Sequence, residues 1–169
     1  NGSGGFAQAA GSPLAVGNDP FSIATADLSG DGKLDLAVTN FHSNDVTIFL
    51  GNGLGGFGQA AGSPVAVGTS PGSVAIGDLN GDAKADLAVA NSASNNVTIL
   101  LGNGAGGFSP ASGSPVAVGN IPFSVVAADL NRDGSLDLAV ANDAANAHSV
   151  TILLGNGTGA FTQAVGSPV

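Results

Sequence analysis

The feature that most constrains this chain is an internal repeat with a period of 51 residues. Aspartates at one equivalent position recur at this step, as Asp27, Asp78 and Asp129. The phenylalanine of a GGF-type turn recurs as well, and its last copy, Phe161, lies 53 residues after Phe108 because two extra residues fall in the segment ANDAANAHSV. A chain that repeats one unit so closely is expected to stack equivalent structural units.

Each copy contains four short apolar segments that are separated by Gly, Asn and Pro. In the second copy these segments are SVAIGDL (73–79), ADLAVAN (85–91), VTILL (97–101) and a last segment that ends at PVAVG (115–119). This punctuation is typical of short β-strands joined by tight turns. No apolar pattern with a period of 3.6 residues is long enough to predict a helix.

The predicted strands are apolar on both faces, so both faces of each sheet must be covered. A unit of four strands that is sandwiched between two neighbours corresponds to one blade of a β-propeller. The sequence therefore predicts an all-β fold of four-stranded antiparallel propeller blades, three per chain, in one propeller segment over 1–169. The predicted units are approximately 18–68, 69–119 and 120–169, and 1–17 is an extra N-terminal outer-strand segment.

Composition excludes several classes of function. The chain holds twelve Asp, no Glu and only three basic residues, for a formal charge of −9, so it lacks the basic stripe that a nucleic-acid partner requires. It has no Cys, so neither a disulfide framework nor a thiolate metal site is available. No apolar run is long enough to span a membrane.

The candidate chemistry lies in three nonapeptides, DLSGDGKLD (27–35), DLNGDAKAD (78–86) and DLNRDGSLD (129–137). Nine of the twelve Asp lie in these loops, at positions 1, 5 and 9 of each. Position 3 offers a side-chain oxygen and position 7 a backbone carbonyl. The predicted metal ligands are Asp27, Ser29, Asp31, Lys33 and Asp35; Asp78, Asn80, Asp82, Lys84 and Asp86; and Asp129, Asn131, Asp133, Ser135 and Asp137.

Oxygen ligands with three carboxylates per loop favour Ca²⁺, so three calcium ions per chain are predicted. Zinc is not favoured, because Cys and metal-spaced His are missing. An EF-hand needs Glu at position 12 and flanking helices, whereas position 12 is Val38, Val89 or Val140, inside a predicted strand. The second loop has Ala83 where the others have Gly, at a position expected to need a left-handed backbone, so this site is predicted to bind more weakly.

An enzyme and a lectin are the alternatives to a structural role. The two histidines, His42 and His148, do not repeat and are interpreted as surface-loop residues, and the loop carboxylates are assigned to metal, so no catalytic residues are predicted. A carbohydrate-binding propeller is the alternative function, although Trp and Tyr are missing. The GGF-register phenylalanines are expected in the core. Phe21, Phe41 and Phe123 are the freer candidates for stacking against a sugar, although packing within loops is the favoured interpretation.

The chain resembles the FG-GAP/VCBS repeats of integrin-α-like β-propellers. The resemblance rests on the DxxxDxxxD loop followed by DLAV, on VTILLGNG and on the GGF or GAF turn, and it covers essentially the whole chain. It implies a calcium loop built as a β-hairpin within each blade. It also implies an extracellular or cell-surface protein that serves adhesion, recognition or scaffolding, without identifying a ligand.

Three blades do not close a propeller, which typically has four to eight. Two open apolar blade faces imply a partner. The predicted partner is the chain itself, with two copies forming a six-bladed ring or three copies forming nine blades, unless further blades of a longer chain cover the faces.

Overall fold

The computed structural model describes residues 5–9, 11–145 and 147–169, apart from the side chain of Ala147. The described residues form fourteen β-strands and no helix. They therefore contain no helix of the length and apolarity that crossing a membrane would require.

The first blade is an antiparallel sheet with strand order β1-β2-β3-β4. Its strands are β1 (Pro20–Ala26), β2 (Asp35–Asn40), β3 (Asp45–Gly51), β4 (Phe57–Gln59) and β5 (Val65–Ala66). Strand β4 pairs with residues 49–51 of β3, and β5 pairs with residues 45–46. The two short strands therefore follow each other along β3 and form one interrupted outer strand.

The second and third blades repeat this arrangement. The second has β6 (Pro71–Gly77), β7 (Asp86–Asn91), β8 (Asn96–Gly102), β9 (Phe108–Pro110) and β10 (Val116–Ala117). The third has β11 (Pro122–Ala128), β12 (Asp137–Ala144), β13 (Ala147–Gly155) and β14 (Phe161–Gln163). Val169 takes the place of a fifth strand there, because it exchanges two backbone hydrogen bonds with Val150, of 2.7 and 3.0 Å.

The predicted fold class is confirmed: three antiparallel sheets form three propeller-like blades that do not close. The outer strand differs from the prediction in being interrupted. Gly62 has a left-handed backbone (φ 82°) at the interruption, and Pro64 cannot donate to a sheet ladder. At this point the hydroxyl of Ser63, rather than a strand carbonyl, accepts the hydrogen bond from Ile48 N, at 2.8 Å.

The core consists of two interfaces between neighbouring blades, near which the first strands β1, β6 and β11 also pack together. In the first interface, between blades one and two, the buried residues are Leu28, Ala37, Val46, Ile48, Ala60, Val74, Leu87, Val89 and Leu100. In the second interface, between blades two and three, they are Leu79, Ala88, Ala90, Val97, Ile99, Ala111, Val125, Leu138, Val140, Leu153 and Phe161. Both faces of the second blade are thus covered, whereas blades one and three each keep an open face.

The prediction that all GGF-register phenylalanines lie in the core is wrong for Phe6. Phe161 is buried and Phe57 and Phe108 are half-buried, whereas Phe6 is fully exposed. Each of the three later phenylalanines begins a strand that pairs with its own blade. The described segment 5–9 forms no strand, so the ring of Phe6 has no blade to pack into.

Candidate metal centres

Each Asp loop connects the first and second strands of its blade, so the three loops lie at the same end of the three sheets. Two loop positions require a left-handed backbone. At position 6, φ is 80° for Gly32, 62° for Ala83 and 90° for Gly134, which confirms the backbone conformation expected there. Position 4 shares this conformation, with φ of 64° at Arg132, and sequence reasoning missed it.

The first Asp of each loop caps the turn. In the second loop, Asp78 Oδ1 accepts hydrogen bonds from Gly81 N at 2.7 Å and Asp82 N at 3.1 Å, while Oδ2 accepts one from Ala83 N at 2.8 Å. Asp27 and Asp129 accept the equivalent bonds. These N–H groups, that of Gly32 foremost, lower the pKa of Asp27, so the carboxylate is held ionised at neutral pH.

The last Asp of each loop is fully buried and ties the loop to another part of the blade. Asp86 Oδ2 accepts a hydrogen bond from Leu79 N at 2.9 Å, and its Oδ1 accepts one from Gly102 N at 2.8 Å. Asp35 and Asp137 make the same two bonds. This anchoring was missed from the sequence, although the invariant spacing between the last Asp and the Gly of LGNG in the first two copies carried the signal.

Positions 3 and 5 turn their polar groups towards one another. Asn80 Oδ1 accepts a hydrogen bond from Asp82 N at 3.0 Å, and Asn131 does the same for Asp133 N at 2.8 Å. The Ser29 hydroxyl bonds to Asp31 and contributes to lowering the pKa of that carboxyl. Positions 3 and 5 are therefore linked by a hydrogen bond in every loop.

The lysine at position 7 reaches back to the Asp at position 5. Lys33 Nζ lies 2.7 Å from Asp31 Oδ2, and Lys84 Nζ lies 3.0 Å from Asp82 Oδ2. Hydrogen bonds from these ammonium groups are the main cause that lowers the pKa of Asp31 and Asp82. Ser135 carries no charge; the backbone N–H of Ser135 and the Asn131 amide lower the pKa of Asp133 instead.

Among the described residues, one triplet of carboxylates converges on a common point. Asp78, Asp82 and Asp86 each offer an oxygen, and these oxygens lie within 4.8 Å of one another. The triplets of the first and third loops do not meet this distance. Oxygens that share one Ca²⁺ at about 2.3–2.6 Å lie within roughly 5 Å of each other, so the spacing and the donor type of these three carboxylates are compatible with this ion.

The charge distribution of the second loop also fits a cation. Burial raises the pKa of Asp86, and the neighbouring charges of Asp82 and Asp78 raise it further, against the opposing effect of the N–H groups of Gly102 and Leu79. A divalent ion among the three oxygens would remove this repulsion. The first and third loops carry the same carboxylate positions, so their donor chemistry fits calcium as well.

Each of the first two loops contacts the next blade. Gly106 N donates a hydrogen bond to Leu28 O at 3.0 Å, and Gly159 N donates the equivalent bond to Leu79 O at 3.1 Å. Leu28 and Leu79 follow the first Asp of their loops and are buried in the two interfaces. The conformation of each loop is therefore coupled to the packing of the neighbouring blade.

The remaining candidate residues lie at the end of the sheets opposite to the Asp loops. Phe21 packs against Phe41 with a centroid distance of 5.3 Å and against Phe123 at 5.5 Å, and about half of the surface of Phe21 and Phe123 is exposed. His42 Nδ1 lies 2.7 Å from Asp19 Oδ2, and His148 Nδ1 lies 3.0 Å from Asp143 Oδ1, on exposed side chains. Both histidines are surface residues as expected, but only His42 lies in a loop, because His148 is part of β13. Their pairing with Asp was missed.

Comparison with known proteins identifies the repeat. The model of the FG-GAP-like repeat matches residues 27–89 and 78–140, and that of the FG-GAP repeat matches residues 122–160. No curated protein matches the chain.

A solved structure of a functionally unknown protein from Desulfotomaculum acetoxidans is similar in fold, with a TM-score of 0.68 and 19% sequence identity over 89% of this chain. The matched region is 43% of that protein's length, so this chain spans less than half of it. Neither the family matches nor this neighbour names a carbohydrate ligand. The matched repeats extend through all three Asp loops, and the chain belongs to the FG-GAP repeat family.

Proposed function

We propose that this chain is a calcium-stabilised structural module, which acts in adhesion or scaffolding outside the cell and has no catalytic activity. The observation that carries the proposal is the convergence of Asp78, Asp82 and Asp86 in a loop that also contacts the next blade. An ion that orders such a loop also stabilises the interface beside it. Membership in a repeat family typical of extracellular proteins supports the proposed location.

Three ions per chain are proposed, one in each loop. Position 1, position 5 and position 9 would supply carboxylate oxygens, position 3 a hydroxyl or amide oxygen, and position 7 the backbone carbonyl. With calcium at ~1 mM outside the cell and a dissociation constant of about 0.1 mM, each site adds about 1.4 kcal/mol to the free energy of unfolding. Three sites add about 4 kcal/mol, which is a large part of the net stability of a domain.

The assignment of a structural rather than catalytic role rests on how the carboxylates are used. The last Asp of each loop is buried with both oxygens bonded to backbone N–H groups, so it is not available as a general acid or base. The first Asp caps the turn through the same kind of bond.

Thermal unfolding tests the calcium proposal. Calcium at ~1 mM is expected to raise the melting temperature by roughly 10 °C over the value in EDTA, since about 1 kcal/mol corresponds to 2–4 °C for a chain of this size. Magnesium at the same concentration should give a much smaller rise, because it needs a tighter octahedral shell.

The control is a variant that carries Asp31→Asn, Asp82→Asn and Asp133→Asn, which changes the exposed Asp at position 5 of every loop. It should melt at the same temperature with and without calcium. A wild-type melting temperature that calcium leaves unchanged would contradict the proposal.

A further inference from the structure

The outward face of the third blade repeats a face that is buried in the first two blades. Leu28 and Leu79 are 1% and 2% exposed, whereas Leu130, at the equivalent position, is 48% exposed. Val97 is fully buried, whereas its equivalent Val150 is 37% exposed. The open face of the third blade is defined by Val126, Leu130, Val150 and Val169.

The first blade has the complementary open face. Val74 and Val125 are 7% and 4% exposed, whereas Ile23, at the equivalent position in β1, is 63% exposed. Leu34 is also 63% exposed, although its equivalent in the third blade, Leu136, packs against the core of the second interface. Ile23 and Leu34 define the open face of the first blade.

We infer that the open face of the third blade in one copy of this chain packs against the open face of the first blade in a second copy, head to tail. The chain itself shows twice what covers such a face, namely the face of a following blade with the same sequence register. The contact between the two copies would repeat an interface that already exists twice within the molecule. This head-to-tail packing does not depend on calcium binding.

The two internal interfaces also supply the expected backbone contact. Gly106 N donates to Leu28 O, and Gly159 N donates to Leu79 O. By the same register, Gly55 N of the second copy would donate to Leu130 O. Such a contact is heterologous, so it forms a ring where the rotation closes.

Arg132 makes this interface different from the internal ones. A Cβ placed on Gly30 or Gly81 would lie 3.2 or 3.1 Å from the carbonyl oxygen of Gly104 or Gly157 in the next blade. Arg132 occupies the equivalent position and carries a real Cβ, so the second copy must sit a few tenths of an ångström further away. Association between copies is therefore weaker than packing within the chain, and Arg132→Gly should tighten it.

The N-terminal segment 5–9 lies where the outer strand of a preceding blade would lie. A Cβ on Gly55 would be 3.9 Å from Ala9, just as one on Gly106 would be 3.5 Å from Ala60. In the assembly, the outer strand of the other copy, residues 161–169, would occupy this position. The exposed segment 5–9 is therefore displaced when the copies join.

The test is sedimentation velocity on the full chain over a range of concentrations up to ~1 mM, in calcium and in EDTA. The expected result is reversible association in at least one of the two conditions, with a mass that gives the number of copies per ring. A chain that stays monomeric in both overturns the inference, and the melting experiment still decides the calcium proposal separately.

Two variants separate head-to-tail packing from other modes. Leu130→Asp and Ile23→Asp each change an exposed side chain and each remove one open face, so neither should associate alone. An equimolar mixture should form a dimer, because one intact face of each kind remains. Association of either variant alone, or a mixture that stays monomeric, contradicts the head-to-tail arrangement.

The control is Ala93→Asp, an exposed change in a loop of the second blade, whose two faces are both covered within the chain. It should associate as the wild type does. Circular dichroism of each variant checks that the fold is retained, and Arg132→Gly should lower the dissociation constant at least threefold. An unchanged or raised constant for Arg132→Gly would contradict the inferred register of the two copies.

Discussion

The carboxylate of Asp86 accepts a hydrogen bond of 2.8 Å from the backbone N–H of Gly102, sixteen residues later in the chain. Through its other oxygen, Asp86 also holds Leu79 N. One buried side chain thus connects the Asp loop with the end of the third strand of the blade. The arrangement recurs in all three blades, so it belongs to the repeat.

Asp86→Asn should lower the free energy of unfolding in EDTA by about 2 kcal/mol. The amide NH₂ group replaces one carboxylate oxygen and so leaves one buried backbone N–H without an acceptor. Asp82→Asn should change it by less than about 0.5 kcal/mol, since Asp82 lies at the surface, its ion pair is with the exposed Lys84, and the oxygen that accepts from Lys84 N is retained in Asn. Urea unfolding in EDTA measures both, and equal losses would contradict the anchoring role. In calcium, both variants should lose the stabilisation of the second loop.

Ala83→Gly should stabilise the protein by about 1 kcal/mol, because Ala83 holds a φ of 62° that favours glycine. The sequence also predicts that this site binds calcium more weakly because of Ala83, so Ala83→Gly should raise the calcium affinity of the second loop. Calorimetric titration measures the affinity. The reverse change in the first loop, Gly32→Ala, should weaken both quantities, and a neutral Ala83→Gly would contradict the backbone argument.

Lys84→Ser should raise the calcium affinity of the second loop by about three- to tenfold, because it removes a positive charge that lies beside Asp82. The third loop offers the matched control: Ser135→Lys should lower its affinity by a similar factor. Calcium titrations at low and physiological salt measure the effect, which should shrink as salt increases. A lower affinity after Lys84→Ser would show that the lysine supports the site.

Leu79→Ala should destabilise the chain by about 3 kcal/mol, because Leu79 is buried in the second interface and its loss leaves a cavity. The equivalent Leu130→Ala should cost less than about 1 kcal/mol, because Leu130 is half-exposed on an open face. Urea unfolding at a concentration where the chain is monomeric compares the two. Similar losses would mean that the open face is not open in solution.

Several structural features followed from the sequence because they are local or periodic. The strands, their turns and the grouping into three sheets follow from an apolar pattern that repeats with the aspartates. The left-handed backbone at position 6 could be predicted because two of its three residues are glycine. Position 4 carries the same signal, with Gly30 and Gly81 beside Arg132, but its left-handed backbone was not predicted.

The repeat by itself determined the all-β blades and placed three aspartates in every loop, because both depend on residue type and spacing along the chain. Only the tertiary structure decided that the last Asp is buried against backbone N–H groups and that the three carboxylates of the second loop converge. It also decided which faces remain open: Leu79 and Leu130 occupy the same repeat position, and only Leu79 has a neighbouring blade. Burial and hydrogen-bond partners depend on which residues lie across an interface. Because the repeats have nearly the same sequence, the sequence alone does not show which copy has a neighbouring blade and which does not.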